Sequence, residues 1–458
     1  MRQKTEQTIT LQAGATGEAR SGDLEGTEVR PATTQVESQA AHGPSMEAIV
    51  ERDNLKKALR HVKRNKGAAG IDGMSVDALA PHLKEHWPAI RAQLLEGTYR
   101  PQPVRRVEIP KASGGTRSLG IPTVLDRFIQ QAVLQLLQAD WDPTFSEHSF
   151  GFRPKRSAHQ AVARAQELIA SGHDIVVDID LEKFFDRVNH DILMGLVVKR
   201  VADKRVLKLI RGFLTAGVLM DGLVGPTEEG TPQGGPLSPL LSNLMLDVLD
   251  KELERRGHNF VRYADDCNIY VRSQRGGERV MASIEKFLAK RLKLTVNKAK
   301  SAVARPVKRK FLGFSFTKGE QPRRRIAPQS RAQFRSRVRE LTRRTRGRSL
   351  AQIIKELSVY LIGWRGYFGF CETPSVLREL DQWIRRRLRA IAWKQWSSGP
   401  NRFAKLRRRG VGPVLAAKAA SSPKGPWRLS NSPALAIALS NAVFKSLGLA
   451  TVAGPKFA

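Results

Sequence analysis

The stretch Phe260-Val-Arg-Tyr-Ala-Asp-Asp-Cys-Asn-Ile-Tyr-Val271 sets two adjacent carboxylates, Asp265 and Asp266, between two short runs rich in β-branched and aromatic residues. Such runs around a small, acidic break predict a β-hairpin whose tight turn presents the acids at its tip. The flanks read as apolar strands rather than loop, so the turn is expected to be held by a sheet. Two neighbouring negative charges with no basic residue inside the turn repel one another and call for a compensating cation. A hard divalent ion such as Mg²⁺, ligated by carboxylate oxygens and substrate phosphates, meets that need. The competing reading is a solvated Asp-Asp turn.

A second acidic strand lies upstream. Ile175-Val-Val-Asp-Ile-Asp180 is β-branched, and a period of two places Ile175, Val177 and Ile179 on one face and Val176, Asp178 and Asp180 on the other. An acid ending a buried strand, with an aromatic five residues later, is the spacing palm-type polymerases use for a metal ligand and the floor of the sugar pocket. By that spacing Asp180 is the ligand and Phe185 the aromatic, with Asp178 the rival on the same face. His190 and Asp191 are expected to begin the next helix.

Gly230-Thr-Pro-Gln-Gly-Gly-Pro-Leu-Ser-Pro239 joins these strands through a loop of three glycines and three prolines, an unusual backbone path that must approach something closely. Behind it Leu237, Leu240, Leu241, Leu244, Met245 and Val248 mark one helix face, with Gly257 as its stop. Further upstream, Val107 to Pro122 reads as a strand, a glycine-containing turn and a second strand, with Lys111 and Arg117 flanking the turn. Basic side chains at a hairpin tip suit a triphosphate, and equally a plain solvated hairpin. Leu125 to Leu137 is an apolar-periodic helix, and Phe150-Gly-Phe-Arg-Pro154 a compact turn. Downstream, Leu292 to Lys300 and Lys310 to Phe316 are expected to be strand segments completing the sheet.

The chain has 458 residues, room for two to four domains. With 78 Lys and Arg against 43 Asp and Glu its formal net charge is +35, a surplus that fits a polyanionic partner, nucleic acid before an anionic membrane surface. No apolar run is long enough to span a bilayer and no signal-peptide pattern is present, so a cytoplasmic, nucleic-acid-bound protein without membrane contact is expected. The two cysteines, Cys267 and Cys371, form no CxxC pair and cannot build a four-cysteine zinc site. Residues 1–45 lack aromatics and apolar periodicity and are expected to be a disordered tail. Order is expected from Met46, with a basic helix whose cations either line nucleic acid or face solvent. After Lys318 arginines become dense between Arg323 and Arg348, which reads as a phosphate-tracking surface. Ile353, Leu357, Leu361, Trp364 and Phe368 then mark one helix, and Trp383, Ile384, Leu388, Ile391 and Trp396 another that also carries Arg385, Arg386 and Arg387. A last helix is expected from Ser432-Pro433 to about Gly448.

In order, Pro110-Lys111 with Arg117, Phe150-Gly-Phe-Arg153, Asp180 with Phe185, Pro232-Gln-Gly234, Tyr263-Ala-Asp-Asp266 and Leu312-Gly313 resemble the reverse-transcriptase blocks of bacterial group II intron-encoded proteins. Gly363-Trp-Arg-Gly-Tyr-Phe368 is similar to the maturase-specific, thumb-like segment of that family, and Gly425 to Pro433 to its short DNA-binding end. The resemblance implies an α+β right-hand polymerase: a tail over 1–45, fingers and palm over 46–318 (46–105 an N-terminal extension), an α-helical thumb or maturase region over 319–400, and a DNA-binding region over 401–458. It implies RNA-templated DNA synthesis and a separate role in folding the intron RNA for splicing. Asp180, Asp265 and Asp266 would hold two Mg²⁺ ions, with Mn²⁺ as a substitute. Lys111 and Arg117 would contact the incoming dNTP, Phe185 lie under its sugar and Gln233 position nucleotide and template. Arg153, Arg323, Arg324, Arg325, Arg385, Arg386 and Arg387 would meet nucleic acid. Implied partners are the intron RNA, a DNA target and primer and dNTPs, in a bacterial ribonucleoprotein, with homodimerisation left open. Without paired cysteines an HNH endonuclease is not expected, which resembles the proteins of small IIC-type introns. Retron, diversity-generating and CRISPR-associated reverse transcriptases share the palm blocks, and a splicing factor with a vestigial polymerase is the alternative of a different class.

Overall fold

The computed structural model describes residues 43–454, apart from 111–114, 221–222, 226–228, 232–233 and 346. The tail expected over residues 1–45 therefore lies almost wholly outside the described residues, and the first element is the short helix Met46–Ile49. The basic helix Arg52–Asn65 follows and packs on Val124–Trp141. Asn54 fixes that contact by donating from Nδ2 to the carbonyls of Ile49 and Ala132, at 2.8 and 3.0 Å.

The acidic stretch folds as expected. Strands Asn259–Tyr263 and Asp266–Val271 form an antiparallel hairpin closed by Ala264 and Asp265. Strand Ile175–Ile179 pairs antiparallel with the second arm, and Ala302–Ala304 completes a four-stranded sheet on its far side. Period two sends Val177 and Ile179 into the large core and Val176 into a smaller one on the opposite face. Helix Ser238–Arg255 backs this sheet and buries all its leucines, ending before Gly257, whose φ of +67 lies in the left-handed region that glycine tolerates.

Two expected strand segments behave differently. Residues 292–300 form no continuous strand: a π-helical turn spans Leu288–Leu292, and only Val296 bridges to Leu181. Phe314–Phe316 is a strand but leaves the acidic sheet to pair with Arg324–Ile326 in a separate two-stranded ribbon. Both segments are short and apolar, so pattern alone does not choose their partner. The hairpin Val104–Pro110 and Thr116–Ile121 is present, extended by Val218–Met220, which runs parallel to the first strand, and Leu223–Gly225.

Beyond residue 326 the structure is helical around its own core, built on Pro328–Leu341, Leu350–Phe368 and Pro374–Gln395. Arg385, Arg386 and Arg387 lie on the last of these. The single C-terminal helix expected from Ser432 is two, Pro433–Ala438 and Asn441–Ser446, because Ser440 acts as a second N-cap and accepts from Val443 N. The two parts meet at Leu312-Gly313, where Gly313 has φ +84 and a Cβ would press on the Phe368 ring at 3.0 Å. Tyr367 donates its hydroxyl proton to Leu312 O across the same joint, at 2.8 Å. Among the described residues no helix is long and apolar enough to cross a membrane.

Candidate active site

The hairpin turn is held by a buried charge pair that the sequence does not advertise. Arg262 and Asp250 are both essentially inaccessible, and Arg262 Nε donates to Asp250 Oδ1 at 2.7 Å. The same guanidinium donates to Asn243 Oδ1 at 3.1 Å and to the carbonyl of Ala264 at 3.0 Å. Ala264 needs that grip, since its φ of +57 lies in the left-handed region, which costs an alanine roughly 1–2 kcal/mol. Asn243 Nδ2 reaches on to Gly151 O at 2.9 Å, and Gly151 lies so close to the turn that a Cβ would collide with Ala264 N. Phe150-Gly-Phe152 is thus a backbone support for the acidic turn.

The last ladder pair sets Ile179 opposite Cys267, so Asp180, one residue further, comes to lie across from Asp266. Asp180 is fixed through its main chain: its N–H donates to Ser301 Oγ at 2.9 Å, and its carbonyl accepts from Asn297 N at 2.8 Å. Its carboxylate faces Lys300 Nζ at 3.5 Å. The rival Asp178 is paired with Arg309, whose Nε donates at 2.8 Å. Burial raises the Asp178 carboxyl above the usual carboxylate range, and Arg309 draws it back. Asp266 opens to solvent at its surface yet lies among many protein atoms. Its carboxyl is pushed up to about 7, first by that desolvation and then by Asp265, Asp178 and Asp180.

These carboxylates fit a divalent cation by donor chemistry: oxygen ligands only, at one end of one sheet, with Asp265, Asp178 and Asp180 adding to the rise of Asp266. With Asp180 turned to Lys300, no group of three or more carboxylate, imidazole or thiol ligands is gathered closely enough to hold an ion among the described residues.

Phe185 sits in the short 3₁₀ turn Phe184–Asp186, buried and edge-on to Phe184. The glycine-rich loop explains its composition here. Gly230 has φ +94, and a Cβ would come within 2.8 Å of Phe185 O, while Thr231 N donates to that carbonyl at 2.7 Å. Gly234 makes an equally close approach to Gly120 O in the strand Thr116–Ile121. The loop thereby ties the turn beneath Phe185 to the fingers hairpin. Lys111 and Gln233, and the side chain of Arg117, lie outside the described residues. His190 begins the helix His190–Val198 as expected and holds Gly230 O through Nε2 at 2.6 Å.

Several arginines expected to meet nucleic acid are used internally. Arg153 is buried, pairs with Asp142 at 2.8 Å and donates to the carbonyls of Asp142, Ser146 and Ser149, so it clamps the loop that carries it. Arg324 stacks on Phe370 at 3.8 Å and pairs with Glu372 at 2.9 Å. Arg325 donates to Ser315 Oγ and Val307 O. Arg386 lies over Trp427 at 4.2 Å, and Arg387 donates to Thr342 Oγ1 at 2.6 Å. Arg323 remains exposed and Arg385 half-buried. Within the arginine-dense stretch expected to track phosphates, Arg331, Arg335 and Arg339 share one face of Pro328–Leu341 at helical spacing. Arg335, Arg339 and Arg387 surround the Trp383 ring at 5.8, 5.8 and 5.3 Å. Desolvation and the neighbouring Arg339 and Arg344 lower the Arg387 pKa, as expected of cations without enough counter-charge.

Residues 109–316 match the family described as reverse transcriptase (RNA-dependent DNA polymerase), and residues 331–410 the group II intron, maturase-specific domain. The chain is 40% identical over 204 residues to the group II intron-encoded protein LtrA of Lactococcus lactis subsp. cremoris, spanning 44% of this chain and 34% of that protein. It is 39% identical over 214 residues to protein YkfC of Escherichia coli K12, spanning 45% of this chain and 56% of that one. The matches thus cover about half or less of these relatives. A solved partial Cas6-RT-Cas1–Cas2 complex is similar over 54% of this chain and 42% of that one, at 21% identity and a TM-score of 0.35.

Proposed function

We propose that this chain, a member of the group II intron-encoded reverse transcriptase/maturase family, synthesises DNA on an RNA template and separately binds and folds its intron RNA for splicing. The observation that carries the polymerase half is the placement of Asp180 across from the Asp265-Asp266 turn at one end of one sheet, where desolvation and then the neighbouring carboxylates lift Asp266 to about 7. A carboxyl raised that way keeps its proton until a cation offsets the neighbouring negative charge, so the ionised form and the cation would favour one another. Mg²⁺, when bound, would lower the pKa of the primer 3′-hydroxyl and neutralise charge on the leaving pyrophosphate.

The chain's own groups do the rest. Asp180, Asp265 and Asp266 hold the ions, and the Arg262–Asp250 pair keeps the turn aimed at Asp180. Phe185 forms the floor beneath the sugar, where a ribose 2′-hydroxyl would be crowded. Lys111 and Arg117 meet the triphosphate, and Gln233 the nucleotide and template. Fingers and palm occupy 46–318, the maturase region 319–400 and a DNA-binding region 401–458. The row Arg331, Arg335, Arg339, joined by Arg323 and Arg385, carries the phosphate backbone of intron RNA and of template and primer.

The two roles separate experimentally. Asp265→Ala is expected to abolish DNA synthesis while leaving intron RNA binding and splicing support intact. Loss of RNA binding in the same variant, with normal melting, would merge the two roles and defeat the proposal.

A further inference from the structure

Asp178 and Asp180 lie two residues apart on the same face of one strand, so alternation alone does not say which serves a cation. Their counter-charges differ in kind. Lys300 Nζ stands 3.5 Å from Asp180, and its side chain is 65% exposed. Such a contact is weak and readily exchanged for a divalent ion. Arg309 is 28% exposed and Asp178 16%, with a 2.6 Å contact between them, and Arg309 Nη2 also donates to Lys300 O at 2.5 Å. Lys300 and Ser301 belong to the loop that grips the Asp180 main chain through Ser301 Oγ and Asn297 N. One guanidinium therefore ties up Asp178 and anchors the loop that holds Asp180.

Resting on the polymerase reading, we propose that Arg309 is a positioning residue that reserves Asp178 and so leaves Asp180 as the strand's cation-binding carboxylate. Its planar fork serves both acceptors at once, which a lysine does not do.

The test uses full-length protein in three readouts: primer extension kinetics on an RNA template, Mn²⁺ binding by electron paramagnetic resonance, and thermal melting. Arg309→Met is expected to lower kcat by about tenfold or more with KM for template-primer within about twofold. Asp178→Asn is expected to stay within about threefold of the unmodified protein and to bind Mn²⁺ normally, whereas Asp180→Asn loses Mn²⁺ binding. Asp178→Asn added to Arg309→Met should recover part of the lost kcat, because the charge that needed reserving is gone while the Lys300 loop stays unanchored. Arg309→Lys should fall between, keeping the charge and losing the grip on Lys300. The inference is overturned if Asp178→Asn alone abolishes Mn²⁺ binding, or if the double variant melts normally and is no better than Arg309→Met. Should Arg309→Met not fold, the comparison of Asp178→Asn with Asp180→Asn decides. An unmodified protein that makes no DNA defeats the polymerase reading, while the Mn²⁺ comparison still judges this one.

Discussion

Replacing Arg262 by methionine leaves the Asp250 carboxylate buried without its partner and frees the Ala264 carbonyl at the acidic turn. Both side chains are at most 1% exposed, so neither charge is screened by water. Removing one member of such a pair costs about 3–5 kcal/mol, mostly from the charge left behind rather than from the bond lost. At roughly 2–4 °C per kcal/mol for a cooperative unit of about 200 residues, the melting temperature should fall by roughly 6–20 °C. Replacing both partners, Arg262→Met with Asp250→Leu, removes the stranded charge and should regain at least half of the loss, as apolar substitutes for buried pairs commonly do. Synthesis should not recover with stability in the double variant, since Ala264 still lacks its donor and the turn is free to relax. Melting followed by circular dichroism, beside primer extension below the lower transition, reads both. Arg262→Met melting with the unmodified protein, or a fully active double variant, would refute the reasoning.

Three further outcomes follow from other parts of the site. The folded pKa of Asp266, about 7, lies above its ordinary 3.8, so this group's contribution to stability is full below about 4 and is lost as pH rises towards 7. Without divalent ions, Asp266→Asn should therefore melt above the unmodified protein at pH 8 and lose that advantage at pH 4, and equal melting at pH 8 would show the repulsion is absent. Gly230→Ala places a Cβ within 2.8 Å of Phe185 O at φ +94, a strain of about 1–3 kcal/mol, and should weaken discrimination between dNTP and rNTP in single-nucleotide insertion. Changing Arg331, Arg335 and Arg339 to alanine should flatten the dependence of log RNA affinity on log salt by about 0.7–0.9 per lost contact, read by filter binding, and an unchanged slope would remove this face from the interface.

What the sequence disclosed and what it withheld divide along separation in the chain. The acidic hairpin was legible because both arms and the turn lie within twelve consecutive residues, where alternation and turn chemistry act locally. Its support was not: Arg262 meets Asp250 twelve residues away, and Asn243 meets Gly151 ninety-two residues away. An arginine inside an apolar strand was the available signal, since a charge there needs a buried partner. The glycines of the 230–239 loop announced a close approach but not its object, Phe185 O and Gly120 O. Residues 302–304 and 314–316 are both short and apolar, and only tertiary pairing sends one to the acidic sheet and the other to the ribbon. The clamp made by Arg153 was hidden because its buried acceptors, the carbonyls of Ser146 and Ser149, have no signature in side-chain pattern.

The most direct measurement is DNA synthesis on an RNA template with an annealed DNA primer, with and without Mg²⁺, by the unmodified protein and by Asp180→Asn, Asp265→Asn and Asp266→Asn. The account predicts Mg²⁺-dependent synthesis that is lost in Asp180→Asn and Asp265→Asn and severely reduced in Asp266→Asn, with intron RNA bound by all four proteins. An unmodified protein that binds structured RNA tightly and makes no DNA would contradict it.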